Sequence, residues 1–111
     1  MSSLLQKKCV PCEGGEATLK SKDIEKYMAE LKDGWEVSKN MKLSKVFKFQ
    51  EFKGAISFVN KVASLAEQEG HHPNININYN KVELILWTHA IGGLSENDFI
   101  LAAKIDPLYK N

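Results

Sequence analysis

Asn74-Ile75-Asn76-Ile77-Asn78-Tyr79-Asn80-Lys81-Val82-Glu83-Leu84-Ile85-Leu86-Trp87 is the stretch on which the fold turns. Ile75, Ile77 and Tyr79 alternate with Asn76, Asn78 and Asn80, and the run from Val82 to Trp87 is rich in strand-forming side chains. Successive side chains of a strand point to opposite faces, so both segments read as strands of one hairpin. The spacing predicts a turn at Asn80-Lys81, with Tyr79 facing Val82. Followed outward, that register places His72 opposite His89, His71 opposite Ala90 and Pro73 opposite Thr88.

The neighbouring segments extend the pattern in both directions. Phe52, Ile56, Val59, Val62, Ala63 and Ala66 recur at helical spacing, which predicts an amphipathic helix over 51–69 stopped by Gly70, with Lys53, Asn60, Lys61 and Glu67 on its polar face. Trp35 to Ser38 and Lys42 to Phe49 read as an earlier hairpin joined by Lys39-Asn40-Met41. Ahead of it, Ile24, Tyr27, Met28 and Leu31 share one face of a helix over about 22–33, with Ser21 as N-cap and Gly34 as the stop. After Gly92-Gly93, Ser95-Glu96-Asn97-Asp98 starts a last helix through Phe99, Ala102, Ala103 and Ile105 to Asp106-Pro107. The expected order is α-β-β-α-β-β-α. An α+β fold follows, in which a four-stranded antiparallel sheet carries three helices on one face. The other face or an edge then serves self-association.

At 111 residues the chain is expected to form one domain over 21–111, preceded by an N-terminal tail over 1–20 with Pro11 and Gly14-Gly15. A formal charge of +1 offers no field for gripping a phosphate backbone, so nucleic acid is not an expected direct partner. No apolar run approaches the roughly 18 residues of a membrane helix, and the start lacks the apolar core of a signal peptide, so the expected location is cytoplasmic. Cys9 and Cys12 supply half of a zinc site; without a second pair in the chain they read as thiols on a mobile tail.

His71, His72 and His89 are the only histidines, and all flank the predicted hairpin's open end. Like-charge repulsion among neighbouring imidazoles favours a neutral ring that accepts a proton, while a ring that keeps its proton serves as acid. Glu67 stands one turn before the loop, placed to orient a ring N–H. Three histidines also suit zinc, but adjacent residues of an extended segment point to opposite faces, which argues against His71 and His72 sharing an ion. Asp98 fits a capping box with Ser95. Trp87 and Thr88 read equally well as ordinary strand residues, and Pro73 as a strand start.

The motifs Glu67-x-x-x-His71-His72-Pro73, Tyr79-Asn80-x-Val82, Thr88-His89 and Gly93-Leu94-Ser95-x-x-Asp98 resemble those of the pterin-4a-carbinolamine dehydratase family, also called the dimerisation cofactor family. The likeness extends less sharply over about 18–106. It implies an enzyme that removes water from 4a-hydroxytetrahydrobiopterin or a related pterin, in the recycling of tetrahydrobiopterin for aromatic amino acid hydroxylation. It implies no metal and no separate cofactor, since the pterin is the substrate. His71, His72 and His89 would be catalytic, with His71 and His89 as the proton-transfer pair and His72 chiefly a binder. Glu67 and Asp98 would support them, and Gly70, Pro73, Trp87, Thr88 and Ala90 would touch substrate. The resemblance further implies a homodimer or homotetramer, with an aromatic amino acid hydroxylase or a transcription factor as a partner. A non-catalytic dimerisation or coactivator role, and recycling of a molybdopterin-related pterin, are the competing readings. Gly70 replaces an acidic residue frequent in animal members, and Asn74-Ile75 follows Pro73 where an aromatic is frequent; both departures bear on the preferred pterin side chain.

Overall fold

The computed structural model describes residues 3–9 and 18–109. Its elements are α1 (Ser21–Met28), β1 (Glu36–Ser38), β2 (Lys42–Lys48), α2 (Phe52–Glu69), β3 (Asn74–Asn78), β4 (Lys81–Leu86) and α3 (Glu96–Ile105). Short 3-10 turns occupy Ser3–Gln6, His89–Ile91 and Asp106–Leu108. This is the expected α+β order. The sheet runs β1-β2-β4-β3 with every neighbouring pair antiparallel, so each hairpin contributes its second strand to the centre.

The sheet is two-faced because its strands alternate. Leu43, Phe47, Val82, Leu84 and Leu86 are buried on the helix side, where each such side chain contributes roughly 1.5–3 kcal/mol. Val46 on the opposite face is 49% exposed, beside the exposed Asn74, Asn76 and Asn78. α2 lays Ala55, Phe58, Val62 and Ala66 on the core. α3 is buried from Asn97 to Ala103 and again at Ile105, because α1, α2 and the Ser3–Gln6 turn all pack around it. At the end of α3, Asp106 accepts from the Trp35 indole N–H (3.0 Å) and from Lys45 Nζ (2.8 Å).

Four expectations need correction. The hairpin turns at Tyr79-Asn80 instead of Asn80-Lys81, pairing Asn78 with Lys81 and Ile75 with Leu84. A slip of two residues keeps every side chain on its own face, so alternation alone does not distinguish the two registers. Asn80 decides between them: its carbonyl accepts from the Phe49 N–H (2.8 Å), its side-chain amide donates to the Phe49 carbonyl (2.9 Å), and Tyr79 takes the left-handed conformation (φ 53°). The first helix ends at Met28 and its N-cap is Lys20; the Ser21 hydroxyl instead accepts from the Asn40 side chain (3.0 Å). After Met28 the backbone tightens, with Leu31 N–H donating to the Met28 carbonyl (3.1 Å).

On α2 the buried stripe is displaced from the expected one, and Phe52 is 50% exposed. The helix has apolar residues on two faces, and the phase observed puts Ala55 and Phe58 into the core, with Val62 and Ala66 common to both stripes. Finally, the thiol expected on a mobile tail is buried: Leu4 and Cys9 both belong to the core cluster. Cys12 lies outside the described residues.

Candidate active site

Two chain breaks set up the site. α2 stops at Gly70, which adopts the left-handed conformation (φ 69°) and donates its N–H to the Ala66 carbonyl at 2.9 Å. That reversal releases His71, His72 and Pro73 at the end of the sheet, ahead of β3. On the adjoining strand, β4 stops at Leu86. The Thr88 N–H then donates to the Gly93 carbonyl (2.8 Å) and the Gly92 N–H to the Thr88 carbonyl (3.0 Å), closing a tight loop around His89, Ala90 and Ile91. His89 therefore sits in a 3-10 turn beyond the strand and is not the cross-strand partner of His72.

All three histidines nevertheless line one cleft of about 420 Å³, together with Gly70, Pro73, Asn74, Trp87, Thr88, Ala90 and Asn97. That volume lies within the range of small-molecule sites. A groove of about 520 Å³ along α2 is larger, but Lys61 is the only ionisable side chain among its lining residues. The three imidazoles are gathered at the first.

The histidines are held in three different ways. His71 Nε2 lies 2.6 Å from Asp98 Oδ1, with the ring 13% exposed and the carboxylate fully buried. The other oxygen, Oδ2, accepts from the Thr88 hydroxyl (2.9 Å) and from the Ser95 N–H (2.9 Å). The Ser95 hydroxyl then donates to Thr88 Oγ1 (2.7 Å), whose own proton is committed to Asp98. A carboxylate that only accepts assigns the hydrogen to His71 Nε2 and leaves Nδ1 as the ring's acceptor. Asp98 also completes the capping box of α3, so the capping role and the contact to His71 coexist in one side chain.

His72 Nε2 meets Glu67 Oε2 at 2.5 Å, but the side chains are 59% and 78% exposed, and solvent screens the pair. The His89 ring packs on the Trp87 indole with centroids 4.0 Å apart, and Lys42 Nζ lies 5.1 Å from the Trp87 ring centre. The Trp87 indole N–H is buried without a hydrogen-bond partner among the described residues.

Each residue expected to be catalytic, supporting or substrate-binding is at this cleft or touches a histidine that is. Asn97, Ser95 and Lys42 were not anticipated as site residues. Asn97 and Ser95 carried a signal in their closeness to Asp98; Lys42 carried none, because its approach to Trp87 depends on the β2–β4 pairing. Behind the cleft, burial and the Glu69 carboxylate push the Cys9 thiol up to about 12. Burial works against the Glu69 carboxylate as well, yet the Cys9 N–H and the Lys104 ammonium outweigh it and hold the group below its ordinary value. Among the described residues no group of three or more His, Cys, Asp or Glu side chains is placed to hold a metal ion. None of the described helices is long and apolar enough to cross a membrane.

Comparison with known proteins bears on the same residues. Residues 17–108 match the family model described as pterin 4 alpha carbinolamine dehydratase. A relative from Rickettsia canadensis, to which the name pterin-4-alpha-carbinolamine dehydratase is provisionally given, is 52% identical over 106 residues, covering 96% of this chain and 97% of its own. One of the same provisional name from Alkaliphilus metalliredigens is 45% identical, over 96% of each chain. Among solved structures, a transcriptional coactivator/pterin dehydratase from Brucella melitensis superposes with a TM-score of 0.77 at 30% identity, over 83% of this chain and 98% of that one. A pterin dehydratase-like protein identified as a RuBisCO assembly factor in the alpha-carboxysome gives 0.58 at 31% identity, over 68% and 88%.

Proposed function

Since this chain belongs to the pterin 4 alpha carbinolamine dehydratase family, we propose that it converts a 4a-hydroxytetrahydropterin, 4a-hydroxytetrahydrobiopterin in the first instance, to quinonoid dihydropterin and water by histidine acid–base catalysis. The observation that carries this reading is the buried Asp98–His71 pair opening on a cleft that His72 and His89 also line. One histidine takes the proton from a ring N–H of the substrate. The electron pair released forms the new double bond to C4a as the C4a–O bond breaks, and a second histidine protonates the departing hydroxyl to water. Such groups contribute about 10²–10⁴ each to the rate.

His71 and His89 make up the proton-transfer pair. Asp98 fixes the tautomer of His71, and the Trp87 indole sets the orientation of His89. His72, held loosely by Glu67 at the rim, binds substrate. Gly70, Pro73, Thr88 and Ala90 shape the walls. No metal or separate cofactor enters the reaction. The cellular role is the return of oxidised tetrahydrobiopterin to use during aromatic amino acid hydroxylation, in the cytoplasm.

The test is direct. 4a-Hydroxytetrahydropterin is generated with a phenylalanine hydroxylase, and quinonoid product is followed by absorbance with and without this protein. Acceleration at neutral pH is expected, and its absence would end the enzymatic reading.

A docking role is the second reading, favoured by the solved neighbours described as a transcriptional coactivator/pterin dehydratase and as a RuBisCO assembly factor. Docking does not need the imidazoles, so a chain with His71, His72 and His89 all replaced by Ala keeps any partner and loses dehydration. We also propose self-association as a dimer or tetramer, supported by the 50% exposed Phe52 on α2 and by the outer edges of β1 and β3, which pair with no further strand among the described residues.

A further inference from the structure

The last turn of α2 and the first turn of α3 supply the carboxylates of both histidine–carboxylate contacts, and residues 3–9 reach both turns. Leu4 is fully buried, and the Ser3–Gln6 turn packs on α3. Lys7 Nζ donates to Glu96 Oε2 (2.6 Å), which also accepts from the Tyr27 hydroxyl (2.8 Å). Cys9 Sγ lies 3.5 Å from the Asn97 carbonyl, behind a residue that lines the cleft. The Cys9 N–H donates to Glu69 Oε1 (2.9 Å), and Glu69 Oε2 accepts from Lys104 Nζ of α3 (2.8 Å).

We propose that Glu69 is a positioning residue for the His71–Asp98 pair. By bridging the Cys9 N–H and the Lys104 ammonium, it holds the last turn of α2 at the separation from α3 at which His71 meets Asp98. The proposal rests on the reading of His71 as a proton-transfer group. Two connections tie α2 and the residues just after it to α3, His71 to Asp98 and Glu69 to Lys104, and Glu69 stands two residues before His71. Gly70 between them has no described residue within 4 Å of where a Cβ would lie, so it adds no packing of its own there. A carboxylate in the last turn faces the negative end of the helix dipole, an unfavourable place. Its side chain is also only 8% exposed, so water does not satisfy it. A residue chosen for helix stability alone would not be a glutamate.

The full-length protein tests this with Glu69→Ala, Glu69→Gln and, as a control, Asp106→Asn, which weakens the remote buried pair with Lys45. The readouts are kcat and KM on 4a-hydroxytetrahydropterin, the thermal midpoint, and the 15N–1H resonances of the His71 ring. Glu69→Ala should lower kcat about tenfold with little change in KM, and should broaden or shift the His71 Nε2–H signal in protein that is still folded. Glu69→Gln keeps an acceptor for Cys9 and loses the ion pair; it should fall between, and carries the same readouts if the alanine variant does not fold. Asp106→Asn should lower the thermal midpoint and leave both kcat and the ring signal alone. An unchanged His71 signal in folded Glu69 variants overturns the proposal, as does a rate loss that only follows the unfolded fraction. Were the wild type to show no dehydration at all, the enzymatic reading would fail, while the ring resonances would still report whether Glu69 positions His71.

Discussion

His71 is held by a carboxylate that water does not reach, and His72 by one that is mostly exposed, so equivalent substitutions at the two should have unequal effects. Asp98→Asn replaces an acceptor-only group with one that also donates, which removes the reason for His71 to carry its hydrogen on Nε2. Turnover should drop by about 10²-fold or more. The cap of α3 weakens at the same time, costing about 1 kcal/mol in denaturant titration. Glu67→Gln should lower stability far less, since solvent already screens its pair. Cys9 provides a separate residue-scale check: burial and the neighbouring Glu69 carboxylate raise its thiol to about 12. In a Cys12→Ser background, Cys9 should resist a thiol-reactive disulfide reagent at pH 8 and react only as denaturant opens the core.

At the scale of elements, the ends of α2 and α3 dominate. Gly70 sits at φ 69° with open space where a Cβ would go, so Gly70→Ala costs only the left-handed backbone strain, about 1 kcal/mol by denaturant titration. Gly93→Ala differs in kind, because its Cβ would lie 2.6 Å from Thr18 Cγ2 and push away the segment that leads into α1. Two carboxylates tie the N-terminal segment to these helices, and both are held below the ordinary glutamate value. For Glu96 the Lys7 ammonium is the leading cause, and for Glu69 the Cys9 N–H and Lys104 overcome burial. The unfolded chain therefore binds more protons than the folded one between the lowered and the ordinary values. Their stabilisation is complete above the ordinary glutamate range and is lost as pH falls through the lowered values. Acid titration of stability should show a shallower decline for Glu69→Gln than for wild type; an equal slope would show that Glu69 contributes nothing there.

For the whole molecule, the sheet has one face under three helices and one face open, and α2 has apolar residues on two sides, only one of which meets the core. Phe52 on the outer side is 50% exposed, which makes it the residue at which to test the proposed self-association. Phe52→Glu should shift sedimentation toward smaller species on dilution while leaving the unfolding free energy of the dissociated subunit within about 0.5 kcal/mol of wild type. No change in the distribution would remove the α2 face from any self-association.

The order of the elements, the stops at Gly70 and Asp106-Pro107, and the gathering of the three histidines and Glu67 around the second hairpin were legible along the chain, whereas Asp98 read locally only as a helix cap. These follow from local rules, in which side-chain period and capping chemistry act within a turn or a strand pair. Three things were decided only in three dimensions. The hairpin register depended on Asn80 finding the backbone of Phe49, 31 residues earlier. The contact of Asp98 with His71 spans 27 residues, and the burial of Cys9 against Glu69 spans 60. Period and capping carry no information across such separations, because a slip of two residues or a swap of buried partners leaves every local preference satisfied. What chooses among the alternatives is the requirement that each buried polar group find a partner once the helices close over the sheet.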